Sequence, residues 1–195
     1  MNSEKLKLLK SQLGDNRLKE DVDISEFLET KAGCIATGFY LATTTTELID
    51  VINLCKELDL EYLVVGNGSK TDLSGQDYFN GIVIKNRSDN LKIFGIKGRI
   101  SKQGLGISEA FIEADSGASL QAVAEYAKKQ TLVGLEDIAK TPGTIGGSIH
   151  TNSNLRTQVY QVDILNSKAQ IKSALLNEIQ RDDIILSVSF KLKSK

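Results

Sequence analysis

The stretch Thr141-Pro142-Gly143-Thr144-Ile145-Gly146-Gly147-Ser148-Ile149-His150-Thr151-Asn152 sets the tightest limits on how this chain can fold. It contains the only proline and the only histidine, and three glycines fall within five residues. Glycine reaches positive φ without a Cβ clash and lets another group lie close against the backbone. Pro142 fixes φ and removes a donor, so the chain enters the turn stiffly. The residues between the glycines, Thr144 and Ile145, carry no charge, and hydroxylated Ser148 and Thr151 follow. Such a loop offers backbone N–H groups and room, which suits a planar or phosphorylated ligand. A tight turn between two core elements has the same composition, and a short motif by itself does not separate the two.

A length of 195 residues accommodates one large domain or two small lobes. With 41% hydrophobic and 25% charged residues, the composition is that of ordinary globular material. Lys+Arg 24 against Asp+Glu 25 gives a net charge of -1, which argues against a nucleic-acid surface. Cys34 and Cys55 make no spaced metal pattern, and one histidine argues against a zinc or iron site. Two cysteines and no secretory leader predict a reducing, cytoplasmic setting. No apolar run reaches membrane-spanning length.

Residues 1–13 predict a short amphipathic helix with Leu6, Leu9 and Leu13 on one face, expected as a loosely held arm. Residues 22–42 read as irregular, with Cys34 a small buried hydrophobe. Thr44 and Glu47 form a capping box that opens a helix burying Leu48, Val51, Ile52 and Cys55. Residues 61–65 read as a buried strand running into Gly66-Asn67-Gly68-Ser69-Lys70-Thr71. This loop is not a P-loop, whose first glycine would fall at Leu63. Nor is it a dinucleotide fingerprint, because no third glycine opens a helix. It offers backbone N–H groups and one hydroxyl. Each charge-assisted hydrogen bond to phosphate contributes about 1.5–3 kcal/mol, against ~0–1 kcal/mol for an exposed Lys70. Gly68→Val is therefore expected to block ligand approach while the fold survives.

Residues 81–85 read as a strand. Residues 86–108 carry Lys92, Lys97, Arg99 and Lys102, either on a solvated hairpin or as a basic clamp. A strand over 110–114 leads through Asp115-Ser116-Gly117-Ala118-Ser119 into a helix over 120–129 that buries Leu120, Val123, Ala124 and Ala127. Strands are predicted over 159–165 and 184–190, with a turn and a short helix between them.

Three segments in order carry a family resemblance: Val64-Val65-Gly66-Asn67-Gly68-Ser69; Ala114-Asp115-Ser116-Gly117-Ala118-Ser119-Leu120; and Gly134-Leu135-Glu136 with Pro142-Gly143-Thr144-Ile145-Gly146-Gly147-Ser148. Together they resemble the flavin-binding part of the UDP-N-acetylenolpyruvoylglucosamine reductase family, also called UDP-N-acetylmuramate dehydrogenase, over residues 20–193. The resemblance implies an α+β, two-lobed FAD-binding fold of the PCMH/vanillyl-alcohol-oxidase type. Residues 1–20 would be an N-terminal helix or arm, 21–85 a small parallel β-α-β lobe, and 86–195 a mixed, largely antiparallel sheet with helices, with FAD between the lobes. It also implies that Gly66, Asn67, Gly68, Ser69 and Lys70 hold the diphosphate. Pro142, Gly143, Thr144, Gly146, Gly147 and Ser148 would contact the flavin and its diphosphate arm, and Ser116 and Gly117 match a loop that also approaches the cofactor. The FAD is expected to be non-covalent, since His150 is not where tethered relatives attach it. NADPH, peptidoglycan synthesis and a cytoplasmic location follow from the same resemblance.

The departures are equally specific. Reductases of the family carry a separate substrate domain with a proton-donating serine and a glutamate. This chain is expected to end after the flavin domain, so none of its residues inherits those roles, and Arg181 is too close to the last strand to match the substrate arginine. Lys70 stands in place of an asparagine, and Lys140 and Cys34 in place of glycines. Three functions stay open: a flavin oxidoreductase, alone or with a partner chain; a module that only holds FAD; and a scaffold that keeps the fold without flavin.

Overall fold

The structure, a computed structural model, describes residues 3–195 apart from 15, 29, 30, 32, 69, 70, 72, 74, 102 and 103, with the backbone alone at 99–101, 104 and 105. The chain divides into two compact units, Met1–Ser88 and Asp89–Lys195.

The first unit contains α1 (Ser3–Leu13), β1 (Leu18–Asp23), β2 (Ile35–Ala42), α2 (Thr45–Glu57), β3 (Tyr62–Val65) and β4 (Tyr78–Asn86). Its sheet runs in the order β1-β2-β4-β3. Strands β2, β3 and β4 are parallel, and β1 is antiparallel to β2. The carboxyl ends of three parallel strands therefore leave the sheet along one edge, where open α/β sheets bind their ligands. Helix α2 starts as the sequence predicts: the Glu47 amide donates to Thr44 Oγ1 at 3.1 Å. The Glu47 carboxylate reaches back one residue further than expected, accepting from the Thr43 amide and hydroxyl at 2.8 Å each. Leu48, Val51, Ile52 and Cys55 are all fully buried.

Two features of this unit differ from expectation. The region read as irregular holds β2 and the end of β1, and β1 itself was not anticipated. Strand β1 is Leu-Lys-Glu-Asp-Val-Asp and mostly exposed, while β2 is buried along nearly its whole length, so neither shows the apolar/polar alternation that marks a half-buried strand. Helix α1 is not a loose arm: Leu9 is fully buried, the helix packs on α2, and Lys5 and Lys10 pair with Asp59 and Glu20.

The second unit contains β5 (Leu91–Ser101), β6 (Gly104–Asp115), α3 (Leu120–Lys129), β7 (Leu132–Val133), α4 (Ile145–Ser148), α5 (Ser153–Arg156), β8 (Val159–Leu165), β9 (Ile171–Ala174) and β10 (Ile184–Ser194). The sheet is antiparallel, in the order β5-β6-β10-β8-β9, with β7 also paired to β10. Helix α3 buries the four predicted residues in one cluster with Ile112, Val162, Val188 and Phe190. The basic stretch is a hairpin: Lys92 pairs with Glu113 at 2.8 Å and Lys97 with Glu109 at 3.6 Å across β5 and β6. Those two lysines are thus spent on their own sheet, while the side chains of Arg99 and Lys102 lie outside the described residues. The short helix expected before the last strand is replaced by β9. The Asn166 side chain closes a turn by accepting from the Lys168 and Gln170 amides, which brings Ile171 opposite Leu165. No helix among the described residues is long and apolar enough to cross a membrane.

Candidate functional site

The first glycine loop leaves β3 at the carboxyl edge of the parallel sheet. Gly66 is half-buried, Asn67 exposed and Gly68 buried; Ser69 and Lys70 lie outside the described residues. Gly68 has φ +78°, and a Cβ there would run into the Phe27 carbonyl oxygen and stand 2.8 Å from Leu28 Cα. The chain's own backbone at 27–28 therefore occupies the space beside Gly68. This corrects the expectation for Gly68→Val: the substitution strains and displaces the protein before any ligand arrives.

The structure adds Lys85, which the sequence reading passed over. It sits near the end of β4 opposite Val65, on the same face as Val83. Only 6% of it is exposed. Its ammonium donates to the Gly66 carbonyl at 2.5 Å and lies 5.7 Å from the centre of the Phe27 ring, which is itself stacked on Phe39. Burial, and then the charge of Arg87, hold the Lys85 amine below the ordinary lysine range. Among the described residues it meets no carboxylate. The available signal was a lysine closing the apolar run Ile82-Val83-Ile84. At the same edge, the first turn of α2 is taken up by the protein's own Glu47, which also pairs with Arg17 at 2.8 Å. Cys34 is buried as expected, with its thiol pushed up by burial and then by Asp23, and Cys55 is pushed up to about 12 by burial.

The second unit assembles the proline-glycine loop on Ser116 and its neighbours. Ser119 and Thr144 bridge antiparallel, with the Leu120 amide donating to the Gly143 carbonyl at 3.1 Å and the Ile145 amide to the Ala118 carbonyl at 2.9 Å. The Gly146 amide donates to the Ser116 carbonyl at 2.8 Å, and a Cβ on Gly146 would lie 3.0 Å from Ser116 Cβ. The Gly147 amide faces Thr144 Oγ1 at 3.4 Å, and the Ser148 amide donates to the Thr144 carbonyl at 3.0 Å. Ser116, Gly117, Gly143, Thr144 and Ser148 are buried, whereas Pro142 and Gly147 are exposed. The loop is therefore less of an N–H cradle than the sequence suggests, because the amides of residues 145–148 are engaged within the unit. It exposes the flat surface of Pro142 and Gly147 instead. Ser116 lies beside it, its carbonyl accepting from the Gly146 amide, and Gly117 is the next residue in the chain.

Comparison with known proteins places these units. The model of the FAD binding domain family matches residues 36–165. The UDP-N-acetylenolpyruvoylglucosamine reductase of Caldicellulosiruptor bescii is 32% identical over 134 residues, covering 69% of this chain and 38% of that protein. That of Clostridium botulinum strain 657 is 29% identical over 92% of this chain and 59% of its own length. This chain thus spans about half the length of the curated relatives it matches. Among solved structures, the UDP-N-acetylenolpyruvylglucosamine reductase of Thermus caldophilus superposes with a TM-score of 0.69 at 18% identity, over 92% of this chain and 63% of that one. A p-cresol methylhydroxylase superposes at 0.61 and 12% identity, over all of this chain and 44% of that one. The fold is accordingly the α+β FAD-binding fold of the p-cresol methylhydroxylase type. With most of its length matched, this chain belongs to the FAD binding domain family, with FAD as its cofactor and the UDP-N-acetylenolpyruvoylglucosamine reductases among its relatives.

Proposed function

We propose that this chain is a cytoplasmic flavin oxidoreductase module that holds FAD without a covalent bond and serves the reduction of a UDP-N-acetylglucosamine enolpyruvate with NADPH. The observation that carries the reading is the carboxyl edge of the first unit, where a glycine loop sits over a buried ammonium that meets no carboxylate among the described residues. That chemistry fits the diphosphate of a dinucleotide. Gly66, Asn67, Gly68, Ser69 and Lys70 would hold it. Pro142, Gly143, Thr144, Gly146, Gly147 and Ser148 would face the flavin, with Ser116 and Gly117 seating that loop. FAD supplies the hydride-carrying chemistry when bound, and the protein supplies its placement and electrostatics.

The sugar nucleotide is the finer part of the proposal, suggested by the resemblance to the UDP-N-acetylenolpyruvoylglucosamine reductases. A reaction that needs a partner chain is the second reading. One preparation tests both. The purified protein should be yellow with flavin absorbance, and NADPH should bleach it in stopped flow. Reoxidation by the enolpyruvyl sugar nucleotide alone supports the first reading. Reoxidation only on addition of a second chain supports the other. A colourless protein that takes up no added FAD refutes both.

A further inference from the structure

We infer that Lys85 is the positioning residue of the first glycine loop, its buried ammonium both turning the Gly66 carbonyl inward and presenting the positive charge that a bound diphosphate requires. The inference rests on the FAD reading and deepens it, since neither the family motif nor the sequence pattern includes this residue.

The local chemistry carries it. A lysine ammonium has three donors and no acceptor, and a charge withdrawn from water is normally paired with a counter-charge. Lys85 is 6% exposed, yet among the described residues its hydrogen bonding ends at one neutral carbonyl, that of Gly66. Its other contact is the face of Phe27, which favours a cation but does not neutralise it. Among the described residues, Arg87, two positions on, is the charged group that acts on it, and its sign is the same. This positive charge has no counter-charge among the described residues, a situation that a bound anion would relieve.

Geometry then selects where the anion goes. Gly66 is the first residue after β3, and Lys85 sits opposite Val65 in the neighbouring strand β4. Drawing the Gly66 carbonyl down to Lys85 rotates the peptide that follows, so the amide of Asn67 is set by that bond. Phe27 closes the arrangement from the other side. Its ring covers the Lys85 ammonium, and its carbonyl oxygen lies against Gly68. Lys85, Phe27 and the loop thus form one preorganised unit, built from three separate segments of the chain.

The test compares wild-type protein with Lys85→Met, which keeps the length and apolar stem of the side chain and removes the charge. FAD and ADP affinities are measured by titration at low and high salt, and melting temperatures with and without FAD. Loss of a charge-assisted contact should weaken both FAD and ADP by about 10- to 100-fold and flatten the salt dependence of binding. The ligand-free variant should melt at or above the wild-type temperature, because a buried charge has gone. Lys85→Arg, which keeps a cation, should recover part of the affinity and the salt dependence. Unchanged affinity in Lys85→Met would overturn the inference and leave the FAD reading standing. A variant that loses binding together with several degrees of ligand-free stability would overturn it in favour of a merely structural lysine. Failure of the wild-type protein to bind FAD would remove the reading on which the inference rests.

Discussion

Glycines that look alike in the sequence meet different demands in the structure. Gly68 combines φ +78° with the Phe27 carbonyl at its back, and Gly146 lies against Ser116. Both are required by the protein itself. Gly147 is exposed, and a Cβ there would stand 3.4 Å from Thr144 Oγ1, an ordinary contact. The three therefore separate under mutation. Gly68→Val should lower the melting temperature of the ligand-free protein, at a cost above ~1 kcal/mol. Gly147→Ala should leave that temperature unchanged or slightly raised, since alanine favours the helical backbone by about 0.5–1 kcal/mol. Any fall in flavin occupancy for Gly147→Ala would then report contact with the cofactor, while full occupancy would exclude Gly147 from the site. The motif was legible from sequence, but the reason for each glycine was not. One letter records positive φ, self-packing and ligand approach alike. Lys85 was hidden for the converse reason: a charged letter at the end of an apolar strand reads as the strand's exit into solvent.

Among the elements, helices were the more legible, because their signals are local. The cap of α2 appears in four consecutive letters, and the buried face of α3 was read residue for residue. Strands β1, β2 and β9 escaped because their patterns are set by partners far along the chain. Burial on both faces erases the alternation of β2, and β9 exists only through its pairing with β8. The α2 cap can be measured. Thr44→Ala should destabilise the first unit by about 1 kcal/mol in a thermal or urea melt. Glu47 adds a pH dependence. Burial pushes its carboxyl up, but the Thr43 amide and Arg17 outweigh this, so it lies below the usual glutamate value of 4.5. Its contribution is thus fully present above pH 4.5 and is lost as pH falls through the lower folded value. The difference in melting temperature between wild type and Glu47→Gln should be constant near neutrality and close up on acidification below that point. A difference that persists undiminished at low pH would show that the ion pair and cap do not set it.

At the level of the whole chain, the ordered set of motifs led to the fold where any single motif would not have. What the motifs do not encode is the spine of the second unit. Strand β10 is paired with β6, β7 and β8, and contributes Val188, Phe190 and Leu192 to the core. Ending the chain after Asp183 should therefore unfold the second unit, seen as lost strand signal in circular dichroism. Limited proteolysis of that product should leave a protected piece close to residues 1–88, which has its own sheet and core. Survival of protected β6 and β8 in the shortened chain would refute this account. The position of β10 also bears on how the molecule is made. Translation delivers β6 well before the strand that joins it to β8, so during synthesis β6 waits with one open hydrogen-bonding edge until residues 184–194 are made. The second unit is then completed late, and slow decoding of that segment would prolong the interval in which nascent chains can pair with one another.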